Sequence, residues 1–232
     1  MSSLVGSLVS VELGSVLVIA KEPVPGRVKT RLTPPFTPAQ AATLAAAALA
    51  DTLRAASRVP ARQHVLVLDG RLPSRVVRGW RVVPQSAGEL DVRLAAAFAA
   101  VAGDGPAVLV GMDTPQLRAE QLAAFRTTEC DSCLGLAGDG GYWAIGFTDP
   151  GHAASVVPGV RMSREDTGAE QLGRLRAAGL SVQLLDELVD ADTAETAQLV
   201  AAQAPDSDFA RRLRVMSPQG LPRPNPQHAA IR

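Results

Sequence analysis

Three cations, Arg27, Lys29 and Arg31, fall at every second position inside residues 20–32, AKEPVPGRVKTRL. The segment follows SVLVIA, an apolar β-branched run that reads as a buried first strand. Pro23, Pro25 and Gly26 force a loop directly after it. Such a loop offers backbone N–H groups from about residue 21 to residue 28, beside three positive charges. That combination suits a triphosphate, whose charge must be neutralised while its α-phosphate is attacked. The chain has two lysines, Lys21 and Lys29, among 23 basic residues, and both lie here. A compact ammonium is placed where the rest of the chain uses the planar guanidinium fork. Lys29, between two arginines and beyond the glycine, reads as the working lysine. Lys21 at the strand end reads as structural. The segment is neither GxxxxGK[ST], because Val28 precedes the lysine, nor GxGxxG.

Carboxylates supply the complementary chemistry. Asp113 ends AVLVGMD, an apolar strand where an unpaired acid is costly. Mg²⁺ prefers one or two carboxylates together with phosphate oxygens. Asp113 with Asp192, or less readily Asp190, would make that set. Each also has a purely local reading, as a cap for the turn at Thr114-Pro115 or for the helix after Asp192. Asp139-Gly140-Gly141-Tyr142 adds a third acid and two glycines that let backbone approach a ligand or close a hairpin. Asp51 reads as a solvated or capping charge, or as a partner of the basic loop.

These residues must be positioned by alternating elements. After the basic loop, TPAQ has the form of a helix start, with Thr37 as cap, Pro38 in the first turn and Gln40 closing a capping box. An Ala- and Leu-rich helix to Ser57 follows. Strands are expected at 64–69, 80–84, 107–113, 133–137, 143–147 and 181–185. Helices are expected near 90–102, 118–126, 166–178 and 194–203, with only loop at 149–158. The alternation predicts an α/β fold with a mostly parallel sheet and helices on both faces. Ligands of such sheets bind beyond the C-terminal strand ends, where the basic loop, Asp113 and the Asp190/Asp192 pair converge. The GDGGY turn precedes its strand and reaches that edge only by a hairpin-like return.

Bulk properties exclude several classes. Acidic and basic residues balance at 23 each, which argues against nucleic-acid or membrane-surface partners. Aromatics make up 3%, so the core is mostly Ala, Val and Leu. No apolar run is long enough to span a membrane, and residues 1–14 do not resemble a secretory signal, so a cytoplasmic protein is expected. Residues 1–14 read as a flexible lead, 15–204 as the catalytic domain, and the proline-rich 205–232 as a flexible tail, disordered at least from Ser217. Cys130 and Cys133 form a CxxC, the pattern of a redox pair or half a zinc site, but no further ligands stand at zinc spacing, and the plainer reading is two small residues at the entry to a strand.

The segments AKEPVPGRVKTRL, QSAGELDVRL, GMDTP, GLAGDGGYWAIGF and DADT together resemble the DUF2064 family. This is a GT-A-like group labelled glycosyltransferase or nucleotidyltransferase and related to 2-phospholactate guanylyltransferases. The resemblance spans residues 16–199. It implies a single GT-A (nucleotide-diphospho-sugar transferase) domain, a Rossmann-like three-layer α/β/α fold with a mixed, mostly parallel sheet. It also implies a nucleotide and Mg²⁺ (or Mn²⁺) at the sheet edge, with Asp113 the main metal aspartate and Asp192 the second. Two departures stand on the acceptor side. Asp91 occupies a position that is usually glycine, and Arg161-Met-Ser-Arg164 replaces a Trp-Ser/Thr pair.

The resulting expectation is a Mg²⁺-dependent nucleotidyltransferase joining an NMP to a small phosphorylated or phosphonate acceptor. Arg27, Lys29 and Arg31 are the candidate catalytic residues. Substrate or nucleotide contacts are assigned to Ala20, Lys21, Pro25, Gly26, Gln85, Gly88, Asp139, Gly140, Gly141 and Tyr142. The alternatives are a glycosyltransferase using a nucleotide sugar and a non-catalytic nucleotide-binding module. The expected partners are a nucleotide and a small-molecule acceptor, with a homodimer left open.

Overall fold

β1 (Leu13–Lys21) is the strand on which the molecule is built, and its side chains alternate between two cores. Val16, Val18 and Ala20 enter one apolar cluster, while Leu17 and Ile19 enter the other. That period of two is the signature of a strand buried on both faces. The computed structural model describes residues 12–216. The expected disorder from Ser217, and most of the expected flexible lead, lie outside the described residues.

Six further strands join β1: β2 (Ala61–Asp69), β3 (Arg81–Pro84), β4 (Ala107–Val110), β5 (Ser132–Ala137), β6 (Tyr142–Phe147) and β7 (Val182–Leu188). Their order is β3-β2-β1-β4-β6-β5-β7. β1 runs parallel to β2 and β4, β2 to β3, and β5 to β7. Among the described strands only β6 is reversed, antiparallel to both β4 and β5. The sheet is therefore mixed and mostly parallel, as expected.

One face is covered by α1 (Pro38–Ala56) and α3 (Ala119–Ala123), the other by α2 (Leu90–Ala99), α4 (Ala153–Val156) and α5 (Thr167–Ala177). The capping box of α1 is present: Thr37 Oγ1 accepts from the Gln40 N–H at 3.2 Å and Gln40 Oε1 accepts from the Thr37 N–H at 2.8 Å. The loop expected at 149–158 instead winds through a 3-10 turn, Pro150–His152, into α4.

Two boundaries differ from expectation. The β4 ladder ends at Val110, so Asp113 stands three residues beyond the strand on a loop. The chain also does not end its ordered part at residue 204. After α6 (Ala194–Gln203), α7 (Asp208–Met216) packs on α1 and α6 with Phe209 and Leu213 buried. It completes a third apolar cluster with Leu32, Phe36, Ala191 and Val200. Phe209, Leu213 and Met216 lie at helical spacing, and the intervening arginines face water.

Candidate active site

The C-terminal edge of the parallel strands opens into a cleft of about 1390 Å³. The β5–β6 hairpin brings its turn to the same edge, with the Ala137 N–H donating to the Gly141 carbonyl at 3.0 Å. The hairpin return expected for the GDGGY turn is thus the route taken. The turn is tight for a reason: a Cβ on Gly140, whose φ is +87°, would collide with the Glu165 carbonyl.

Lys29 sits at the centre. Its Nζ lies 2.5 Å from Asp113 Oδ1 and 2.8 Å from Asp192 Oδ1. The Lys29 side chain is 4% exposed, whereas the Asp113 and Asp192 side chains are 43% and 36% exposed. Burial works against the ammonium charge, but the two carboxylates outweigh it and the Lys29 pKa is raised. The backbone aims the side chain at this point. Lys29 adopts φ 49° and ψ 40°, a left-handed conformation uncommon for a residue with a Cβ. The 3-10 turn Thr30–Leu32 follows, anchored by the fully buried Leu32.

Two contacts fasten the loops that carry the acids. The Ala191 N–H donates to the Asp113 carbonyl at 2.9 Å, and Gln116 Nε2 donates to the Val189 carbonyl at 2.7 Å. Asp113 and Asp192 are therefore held as a pair by backbone as well as by Lys29. Burial pushes the Asp190 carboxyl up to about 7, aided by the negative charges of Asp113, Asp139 and Asp192. Negative charge at this edge exceeds what one ammonium neutralises.

Among the described residues no group of three or more His, Cys, Asp or Glu side chains forms a ready metal cage. The donor set still fits a divalent ion of the kind bound by one or two carboxylates and phosphate oxygens. Asp113 and Asp192 already converge on one cation, and both side chains face the cleft.

Of the residues named from sequence, Ala20, Lys21, Arg27, Lys29, Arg31, Gln85, Asp113, Asp139, Gly141, Tyr142, Asp190 and Asp192 line the cleft. Pro25, Gly26, Gly88 and Gly140 do not. Pro25 and Gly26 make the turn closed by the Arg27 N–H on the Val24 carbonyl at 3.0 Å, with Gly26 at φ +79°. They shape the loop without facing the cleft. Gln85 lines the cleft with its amide in use: Nε2 donates to the Ala20 carbonyl at 2.7 Å and Oε1 accepts from Arg93 Nη1 at 3.0 Å. It ties the strand ends together. Arg31 Nη1 is 3.9 Å from Asp192 Oδ2 and is exposed.

Sequence reasoning missed Arg93 and Thr114. Arg93 lines the cleft from α2 with its Nε buried and unpartnered. Thr114, next to Asp113, is 2% exposed with an unpartnered hydroxyl. The signal for Arg93 was the spacing QSAGELDVRL, which puts it eight residues after Gln85. Asp91 is buried at the start of α2 and accepts the Gly159 N–H at 2.6 Å, which pins the loop carrying Arg161 and Arg164. Burial, helped by Asp91, raises the Tyr142 pKa and keeps its hydroxyl protonated.

A seven-stranded sheet with one reversed strand, and a nucleotide-sized cleft at its C-terminal edge, define the nucleotide-diphospho-sugar transferase fold, GT-A. The chain belongs to the DUF2064 family, described as an uncharacterized protein conserved in bacteria, which it matches over residues 41–164. It is similar to a protein of Desulfovibrio desulfuricans G20 provisionally called a nucleotide-diphospho-sugar transferase. The identity is 27%, the TM-score 0.77, and the match covers 88% of this chain and 95% of that one. A cytidylyltransferase from Leptospira borgpetersenii shares the fold at 12% identity and TM-score 0.53, covering 91% of this chain and 100% of its own. So does a CMP:2-keto-3-deoxy-manno-octonic acid synthetase complexed with CTP, at 12% identity and TM-score 0.52, covering 83% and 99%. No curated protein matches the chain by sequence. These neighbours are nucleotidyl- and nucleotide-sugar transferases. No helix among the described residues is long and apolar enough to cross a membrane.

Proposed function

We propose that the protein is a nucleotidyltransferase that moves an NMP from an NTP to a small phosphorylated or phosphonate acceptor and releases pyrophosphate. The observation that carries the reading is the Lys29–Asp113–Asp192 cluster, with Arg27 and Arg31 on the same cleft wall. Three cations suit a triphosphate better than a sugar diphosphate. Arg27 and Arg31, both exposed, bind the β- and γ-phosphates and the departing pyrophosphate. Asp113 and Asp192 would hold a divalent ion, Mg²⁺ or Mn²⁺, which when bound would neutralise phosphate charge and polarise the P–O bonds. Lys29 keeps the two carboxylates paired before the nucleotide arrives. Ala20, Lys21 and Gln85 border the nucleoside. Asp139, Gly141 and Tyr142 border the acceptor, with the Tyr142 hydroxyl held by Gln171 Oε1 at 3.5 Å. The acceptor oxyanion attacks the α-phosphorus, and the bond to the bridging α,β-oxygen breaks.

The test is pyrophosphate release with each NTP across a panel of phosphorylated acceptors. No pyrophosphate with any pair refutes the reading. A second reading, glycosyl transfer from a nucleotide sugar, is favoured by the name of the 27% identical Desulfovibrio neighbour. Nucleoside diphosphate released from a nucleotide sugar would select it.

A further inference from the structure

Lys29 occupies the position that the proposed function gives to a metal. Its Nζ contacts Oδ1 of Asp113 at 2.5 Å and Oδ1 of Asp192 at 2.8 Å, the two carboxylates that the proposed function assigns to the ion. The ammonium lies on the inner side of the pair, at 4% exposure, and the carboxylates lie toward the cleft. The contact is built in: a left-handed backbone at Lys29 and the buried Leu32 direct the side chain into the gap.

We propose that the Lys29 ammonium is a placeholder cation, which a divalent ion displaces from Asp113 and Asp192 and so frees to bind the phosphates.

Electrostatics makes the two occupants exclusive. An ammonium within hydrogen-bond distance of the same oxygens as a divalent ion would meet strong repulsion at the low effective dielectric of a buried site. The lysine stem is flexible, with three freely turning donors, so the group can swing while its backbone stays fixed. Lys29 lines the cleft, so the open direction is toward the space assigned to the phosphates. There an anion compensates a charge that would be costly to leave buried and unpaired. Without any metal, the ammonium keeps two acids from repelling one another, so the site is assembled in advance. Metal alone must evict Lys29 into a cleft without an anion. Metal with a triphosphate gives it a partner. The two ligands therefore assist one another.

The inference rests on the metal assignment of the proposed function, and two measurements on the full chain separate them. In the first, Mn²⁺ binding is followed by electron paramagnetic resonance for the native protein and for Lys29→Met, without nucleotide. Removal of the competing ammonium should tighten Mn²⁺ binding about tenfold, or about 1.4 kcal/mol. Equal or weaker binding by Lys29→Met would show Lys29 to be a permanent strut and overturn the proposal, while the metal site stood. Absence of Mn²⁺ binding in both proteins would overturn the metal site and the placeholder together. The second measurement needs no variant. With only two lysines in the chain, lysine labelled at Cε gives two nuclear magnetic resonance signals. Titration with Mg²⁺ should move the Lys29 signal and leave Lys21 in place. A Lys29 signal that stays put at saturating Mg²⁺ refutes the displacement.

Discussion

Replacing Asp51 by alanine should destabilise the protein far more than a surface acid would. Asp51 lies on α1 at 5% exposure, and its carboxylate caps a different helix. Oδ2 accepts the Phe209 N–H at 2.8 Å and Oδ1 the Asp208 N–H at 3.1 Å, the first two free donors of α7. Ser207 Oγ takes the third, the Ala210 N–H, at 3.0 Å. Asp51→Ala removes a cap worth about 1–2 kcal/mol. It also strands the buried Phe209 N–H, at about 1–3 kcal/mol. The ion pair to Arg54 at 2.5 Å adds little, because Arg54 is 47% exposed and keeps Asp208 at 2.6 Å. The sum is about 2–5 kcal/mol, or a fall in Tm of roughly 4–20 °C for a domain of this size. Asp51→Asn keeps one acceptor oxygen and should lose about half as much. Urea denaturation of both variants measures this, with a lower midpoint at an unchanged slope. If Asp51→Ala lost under about 1 kcal/mol, or the two variants were equal, the cross-helix cap would not be what holds α7.

Gly140→Ala should cost about 2–4 kcal/mol, since the new Cβ collides with the Glu165 carbonyl at a φ of +87°, and thermal unfolding reads the loss directly. Asp190 has its pKa raised to about 7 from 3.8. Between those values the unfolded chain has released the proton and the folded protein keeps it, so the stability that Asp190 contributes falls as pH rises from about 4 to 7. Asp190→Asn should flatten that fall in metal-free buffer, and an unchanged pH profile of Tm would contradict the assignment. Cys133 is buried and its thiol pKa is raised by that burial, so a thiol reagent should label the half-buried Cys130 first and Cys133 only on unfolding. Equal labelling rates in the folded protein would refute this ordering.

Strand and helix placement was legible because it follows from local pattern. β1 shows why: every residue of VLVIA is apolar, three of the five are β-branched, and the sheet buries all of them. Asp113 and Asp192 could be singled out because acids at the ends of apolar runs are costly without a partner. That Lys29 is this partner was not legible. It depends on one left-handed residue and on the Ala191–Asp113 backbone bond, which joins loops far apart in sequence. α7 was read as tail because prolines dominate that region. Its own nine residues, DFARRLRVM, carry an amphipathic stripe that composition averaged over the tail conceals.

The third apolar cluster explains why such distant residues meet. Lys29 and Asp192 are 163 residues apart, yet Leu32, three residues after the first, and Ala191, one before the second, are both fully buried in that cluster. α7 closes the same cluster through Phe209 and Leu213. A helix that does not line the cleft thus shares its core with the loops that bring a cation and an acid together at the sheet edge. Close-packed interiors transmit small displacements rather than absorb them. Phe209→Ala should therefore loosen the Lys29–Asp192 contact as well as lower stability. The change in Mn²⁺ affinity, measured at a temperature where the variant remains folded, distinguishes this from simple destabilisation: a purely structural α7 would leave that affinity untouched.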